Sequence, residues 1–279
     1  MLILNADDIR RALPMQEAIV AMKRAFAALE QDQAIVPLRI HIPVPEHEGV
    51  TLIMPAFLRD PESPSLIVKV ASIFDPNPDR NLARIQSVVT VLDPETGCPT
   101  AILEGATLIG IRTAAASGAA TDFLARTNSR TLAILGSGAQ ARTHLAAMCA
   151  VRDIQEVCVY ARNCERLRAC VDEMSDWDWC SASIRAVESA AEAIRGADIV
   201  CCTTSSPTPI YDDVDLSLGV HVNAVGSYQP HVREVPTATV ARATVFVDER
   251  ESAWEEAGDL IQALEAGDID RDHVTASLG

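Results

Sequence analysis

No uninterrupted apolar stretch of this 279-residue chain approaches the about 18 residues that a membrane span requires, so a bilayer-crossing helix is not expected. The opening Met1-Leu2-Ile3-Leu4-Asn5-Ala6-Asp7-Asp8 lacks a basic n-region, which argues against a secretory signal. Positive charge is scarce: 23 Lys and Arg stand against 39 Asp and Glu, a formal net charge of -16. Duplex nucleic acid and anionic membrane both need a basic footprint, so neither is an expected partner. Eight cysteines occur without Cys-x-x-Cys spacing and six histidines without paired metal-ligand spacing, so no metal and no disulfide framework is expected. The chain therefore reads as cytoplasmic, with buried reduced thiols. Internal repeats and low-complexity tracts are also missing.

What is present is ordinary globular material. Apolar residues make up 48% and charged residues 22%, and the length is about twice that of a usual domain, which suits one large or two ordinary domains. The first third mixes helix and strand. Asn5, with Asp8 three residues on, resembles a helix cap, and Ala18, Ile19, Met22, Phe26 and Leu29 recur at helical spacing after Pro14. Strand-like runs follow at 37–42, 52–56, 66–70, 87–92 and 100–103, with turn chemistry at Asp93-Pro94-Glu95-Thr96-Gly97. This meander predicts an antiparallel or mixed sheet. An Ala-rich helical stretch over 104–126 closes the region, and Asn128-Ser129 is the expected boundary.

Beyond Thr131 the pattern changes to strand alternating with helix. Strands are expected at 131–135, 157–160, near Ile184, and at 198–203, 220–225 and 245–247. Helix-length segments between them predict βαβ units and a doubly wound parallel (Rossmann) sheet, an α/β fold whose ligand crevice lies beyond the carboxyl ends of the strands. The expected division is an α+β substrate-binding and dimerisation domain over 1–128, a dinucleotide-binding domain over 129–270, and the start of a C-terminal return segment over 271–279.

Gly136-Ser137-Gly138-Ala139-Gln140-Ala141 has the form G-x-G-x-x-A between an expected strand and an expected helix. Gly136 permits the tight turn, Gly138 lets backbone amides approach a pyrophosphate, and Ala141 lets the helix pack on the strand. The phosphates then meet the positive end of the helix. At the end of the second strand, Tyr160-Ala161-Arg162-Asn163 has no carboxylate for the ribose hydroxyl of NAD. Arg162 there suits a 2′-phosphate, so NADP(H) is favoured over NAD(H); a solvated surface charge is the competing reading. Thr203, Thr204 and Ser205 end a later strand, where they line a cofactor crevice or form an ordinary capping loop.

These segments together carry a family likeness. Val68-Lys69-Val70 with Phe74-Asp75-Pro76-Asn77, then Gly110-Ile111-Arg112-Thr113-Ala114-Ala115-Ala116-Ser117, the Gly136 turn, and Val222-Asn223-Ala224-Val225-Gly226-Ser227 resemble, in order, the ornithine cyclodeaminase/mu-crystallin family. The resemblance implies a homodimer joined through the substrate domains, and NAD(P)(H) acting on a small amino acid, imino acid or ketimine. It also implies that Lys69 is catalytic and faces the substrate, and that Arg39 and Arg112 hold the substrate carboxylate. Met54 and Gln86 lie near the same pocket by that match, and Val225 and Gly226 join the cofactor set. Read without the resemblance, Lys69 is a charge in an apolar strand that needs a partner or an edge position, and Arg39 and Arg112 are strand-edge and helix-surface charges.

The sequence departs from the family in three places. Where cyclodeaminases of the family carry an aspartate that holds the distal amine of ornithine, this chain has Tyr228. The acidic residue that they place before the Met-Pro pair is also missing from Leu52-Ile53-Met54-Pro55. Both changes point away from a diamino acid and towards imine reduction or amino-acid dehydrogenation. The other expectations are a cyclodeaminase-type lyase and a non-catalytic NADPH-dependent binding protein. The family also continues for some tens of residues beyond the equivalent of Gly279, so the return segment is expected to be short here.

Overall fold

The computed structural model describes residues 1–60 and 63–279, and the chain divides into two compact units, Met1–Arg112 with Gly279, and Thr113–Leu278. The first unit runs β1 (Leu2–Leu4), α1 (Ala6–Ala12), α2 (Met15–Glu30), β2 (Ala34–Ile35), β3 (Ile40–Val44), β4 (Gly49–Leu58), β5 (Ser65–Phe74), β6 (Ile85–Leu92) and β7 (Pro99–Glu104). The start of α1 is specified locally: Asn5 accepts from the amides of Asp7 and Asp8 while Asp8 reaches back to the Asn5 amide, a complete capping box. Among the described residues seven strands join in the order β1-β7-β6-β5-β4-β2, with β3 also on β4. All pairs are antiparallel except β1 on β7, so the sheet is mixed. The expected strand over 37–42 is instead split into β2 and β3. Pro37 has no amide to give a ladder, and residues 36–39 fall outside both strands.

The register separates two faces. Leu52, Ala71 and Ser87 are mutual partners, as are Met54, Lys69 and Val89, so these six residues share one face, and Leu52, Ala71 and Val89 are buried there. The helix α3 (Gly105–Leu124) begins against this face, because a Cβ on Gly105 would run into the Ser87 hydroxyl. The opposite face carries Ile40, Ile53, Val70 and Val88 in one row and Ile3 beside Ile102.

The second unit contains β8 (Thr131–Leu135), α4 (Ala139–Val151), β9 (Glu156–Tyr160), α5 (Cys164–Ser175), β10 (Ser183–Ala186), α6 (Ala190–Ile194), β11 (Ile199–Cys202), β12 (His221–Ala224), α7 (Thr237–Arg242), β13 (Val245–Val247), α8 (Arg250–Glu256), α9 (Gly258–Glu265) and β14 (Val274–Ser277). Its sheet is parallel, in the order β10-β9-β8-β11-β12. In chain sequence this is 3-2-1-4-5, the doubly wound order whose direction reverses between β8 and β11. Leu132, Ile134, Leu135, Ile199 and Val200 are fully buried, as a parallel sheet covered on both faces requires.

Two expectations are corrected. β13 is not a member of the parallel sheet; it pairs with β14, because a three-residue apolar run does not encode its partner. Residues 274–277 form that partner strand, and Gly279 after them groups with the first unit. The units divide within α3, after Arg112, rather than at Asn128-Ser129. The reason is packing: Ser117 bonds His144 on α4, Thr121 accepts from Asn223 on β12, and the buried Arg152 guanidinium donates to the Thr121, Ala125 and Arg126 carbonyls that end the helix.

Candidate active site

The first unit gathers four of the expected substrate residues. Met54 and Lys69 are direct partners across the β4–β5 ladder. Arg39 precedes β3, one residue before the Ile40–Ile53 pair, and Arg112 lies on α3. Lys69 occupies the face that buries Leu52, Ala71 and Val89. Burial, followed by the positive charges of Arg112 and Arg39, pushes its ammonium down to about 8. Two guanidiniums thus stand close enough to destabilise a third cation. Such a concentration of positive charge favours an incoming carboxylate. Gln86 does not join it. Gln86 pairs with Ser72 on the opposite face, where it lines a shallow depression with His47, Phe74, Asn77 and Arg80.

In the second unit, Gly136 has φ +125° and closes β8 with its amide on the Tyr160 carbonyl at 2.8 Å. A Cβ on Gly136 would stand 2.7 Å from the carbonyl and hydroxyl oxygens of Thr203, so the glycine is needed where β8 and β11 part. Gly138 is the N-cap of α4, and a Cβ there would meet nothing within 4 Å. Open space at a helix start is what a pyrophosphate would need there. Ala141 is fully buried, as the close helix packing requires. Arg142, which the sequence does not mark as part of this turn, donates to the Ser137 and Gly138 carbonyls at 3.1 Å and pairs with Glu173 at 2.6 Å.

The carboxyl ends of β11 and β12 are joined by a second residue that the sequence does not mark. Glu234, fully buried, accepts from the Thr204 amide at 2.5 Å, the Thr204 hydroxyl at 2.6 Å and the Gly226 amide at 2.5 Å. Burial raises its pKa to about 7 against those hydrogen bonds, with the Asp259 charge adding to the rise. The Thr203 hydroxyl is spent on the Leu135 carbonyl, and Ser205 is exposed. Val225 donates to the Cys202 carbonyl, and Tyr228 donates its amide to the Gly226 carbonyl. Arg162 is exposed at the end of β9, one residue before Asn163, which caps α5.

The profile of the ornithine cyclodeaminase/mu-crystallin family matches residues 1–279. The chain belongs to this family. A Delta(1)-pyrroline-2-carboxylate reductase of Bacillus cereus is 36% identical over 280 residues, covering 100% of this chain and 85% of that protein. The solved Thermococcus litoralis Delta(1)-pyrroline-2-carboxylate reductase, in complex with NADH and L-proline, is 36% identical with a TM-score of 0.93, covering 100% of this chain and 85% of that one. An archaeal alanine dehydrogenase dimer with bound NAD is 29% identical with a TM-score of 0.91, covering 100% and 83%. The doubly wound sheet with its second domain is therefore the family's fold.

Proposed function

We propose that this chain is an NAD(P)H-dependent oxidoreductase that reduces the C=N bond of a small 2-imino acid, or oxidises the corresponding amino acid. The observation that carries the reading is the Lys69 ammonium, depressed to about 8 on an apolar sheet face with Arg39 and Arg112 beside it. Two guanidiniums suit a carboxylate, and a lysine that exchanges its proton near neutrality suits acid–base work at the adjacent nitrogen. Similarity to two pyrroline-2-carboxylate reductases supports the same chemistry.

The dinucleotide, when bound, supplies the hydride that reaches the α-carbon. The chain's own residues do the rest. Arg39 and Arg112 hold the carboxylate, Met54 packs beside Lys69, and Lys69 donates a proton to the imine nitrogen and becomes a neutral amine, recharged from solvent. The turn over Gly136, Ser137, Gly138, Ala139 and Gln140 and the edge residues Thr203, Thr204, Ser205, Val225 and Gly226 would hold the cofactor. Arg162 favours NADP(H) by its charge, whereas the two solved relatives named above carry NADH and NAD.

A homodimer is part of this reading. The outward sheet face exposes Ile3 at 73%, Ile40 at 56% and Ile42 at 45%, an apolar surface that a second copy would cover. Exposed thiols at Cys98 and Cys164 suit a reducing, cytoplasmic setting. The test is NADPH and NADH oxidation followed spectrophotometrically with Delta(1)-pyrroline-2-carboxylate, and with 2-oxo acids plus ammonia or methylamine. Imine-dependent oxidation is the expected result. No oxidation with any imine, alongside ring closure of ornithine without net reduction, would overturn it.

A further inference from the structure

At the end of the parallel sheet, two crevice-edge loops touch backbone to backbone. A Cβ on Gly226 would overlap the Thr204 carbonyl oxygen and stand 2.7 Å from the Glu234 carboxylate. No side chain spaces the loops apart. What spans them is the Glu234 carboxylate, with one oxygen on the Thr204 amide and hydroxyl and the other on the Gly226 amide.

Glu234 is itself pinned. Its amide and that of Val235 donate to Asp259 at 2.8 and 2.9 Å, and its carbonyl accepts from Ile210 at 3.0 Å. Asp259 sits at the start of α9, and its amide donates to the Ser227 hydroxyl. The carboxylate is thus a fixed strut between the ends of β11 and β12, beside the point where the strand order reverses. Burying a carboxylate is costly, and a neutral group could satisfy these donors only in part. Three donors aimed at two oxygens need an acceptor with no hydrogen of its own.

We propose that Glu234 is a positioning residue for the dinucleotide: its carboxylate sets the separation of segments 203–205 and 225–226, and dinucleotide affinity depends on it. This rests on the reading of the second unit as dinucleotide-binding. A carboxyl group that takes up a proton loses one acceptor oxygen and points an O–H at an N–H, which loosens the strut. The groups facing it set where that happens. Thr204 after β11 and the Gly226 amide after β12 favour the ionised form, whereas burial and the Asp259 charge from α9 oppose it. The Cys202 thiol on β11 is itself held neutral by burial and by the two carboxylates, and Arg233 offsets Asp259. The balance lies near neutrality, so affinity falls as pH drops through about 7.

The experiment is fluorescence titration of the full chain with NADH, which has no group titrating between pH 6 and 8.5, for wild type, Glu234→Gln and Thr204→Val. Wild-type affinity should fall about tenfold from pH 8 to pH 6, as expected for a requirement for the ionised form. Glu234→Gln should bind weakly at every pH with a flat profile. Thr204→Val removes one stabilising donor at nearly constant volume and should move the wild-type midpoint to higher pH. Wild-type and Glu234→Gln proteins with equal affinity and equal pH dependence would overturn the proposal while leaving the dinucleotide reading intact. Absence of NADH and NADPH binding to wild type at any pH would overturn both. Should Glu234→Gln fail to fold by circular dichroism, an unshifted midpoint in Thr204→Val overturns the proposal on its own.

Discussion

Met54 and Lys69 face one another directly across the β4–β5 ladder, on the face that buries Leu52 and Ala71. A lysine held in that row, with Arg39 and Arg112 acting on it, titrates about where an enzyme working near neutral pH needs an acid. If its ammonium protonates the imine, kcat/KM for reduction falls as pH rises through about 8. Arg39→Gln removes a repelling charge, so the Lys69 pKa rises and the fall moves to higher pH. A pH–rate series on both proteins checks the direction; a midpoint that stays or moves down would separate Lys69 from Arg39. Lys69→Met should lose turnover by about 10²-fold or more while keeping dinucleotide affinity.

Arg112→Ala should lower kcat/KM by about 30- to 100-fold, the loss of one charged hydrogen bond of about 2–3 kcal/mol to the substrate carboxylate. Steady-state kinetics with the imino acid varied at saturating cofactor would measure it. An unchanged value would return Arg112 to the status of a helix-surface charge.

For Arg162, the expected outcome is a kcat/KM preference for NADPH that Arg162→Ala removes with little change for NADH. The side chain is exposed just beyond the end of β9. A wild-type preference for NADH of tenfold or more, about 1.4 kcal/mol, would refute this assignment.

Two glycines should behave oppositely. Gly226→Ala forces a Cβ into the Thr204 backbone and should cost more than about 3 kcal/mol of stability, read as a lowered Tm. Gly138→Ala meets open space and should melt normally yet bind the dinucleotide poorly. A Gly138 variant with full affinity would move the phosphate site elsewhere.

Tyr228 and Leu52 together should leave the protein unable to cyclise ornithine. A phenol with a pKa of about 10 is neutral at pH 7 and cannot pair with an ammonium as a carboxylate does. Leu52 is buried, two residues along the row from Met54. Proline formation from ornithine, assayed with catalytic NAD(P)+, should be absent, and Tyr228→Asp alone should not restore it.

Much of the fold is legible in the chain. β8 is delimited by Thr131 and by the glycine turn, so the expected strand matches to the residue. The capping box at Asn5 is a purely local arrangement and can be read as such. Gln86 falls on the other face because a face is decided by register, and register between β5 and β6 depends on the connection between them, not on residue type. β13 belongs to a different sheet from the expected one because partner choice is a tertiary matter. Glu234 is hidden in the sequence because Val232-Arg233-Glu234-Val235 reads like a surface segment; only the fold shows that three donors converge on it.

The Arg142 guanidinium lies behind the glycine turn and sets the direction of its peptides. In a planar trans peptide the C=O of one residue and the N–H of the next point in opposite directions. Arg142 draws the Ser137 and Gly138 carbonyls toward itself, so the amides of Gly138 and Ala139 are turned away from the guanidinium. Its own charge is met by Glu173. On the proposed reading, a phosphate would therefore meet peptide dipoles that the arginine fixes from behind, and the guanidinium would not be its counter-ion.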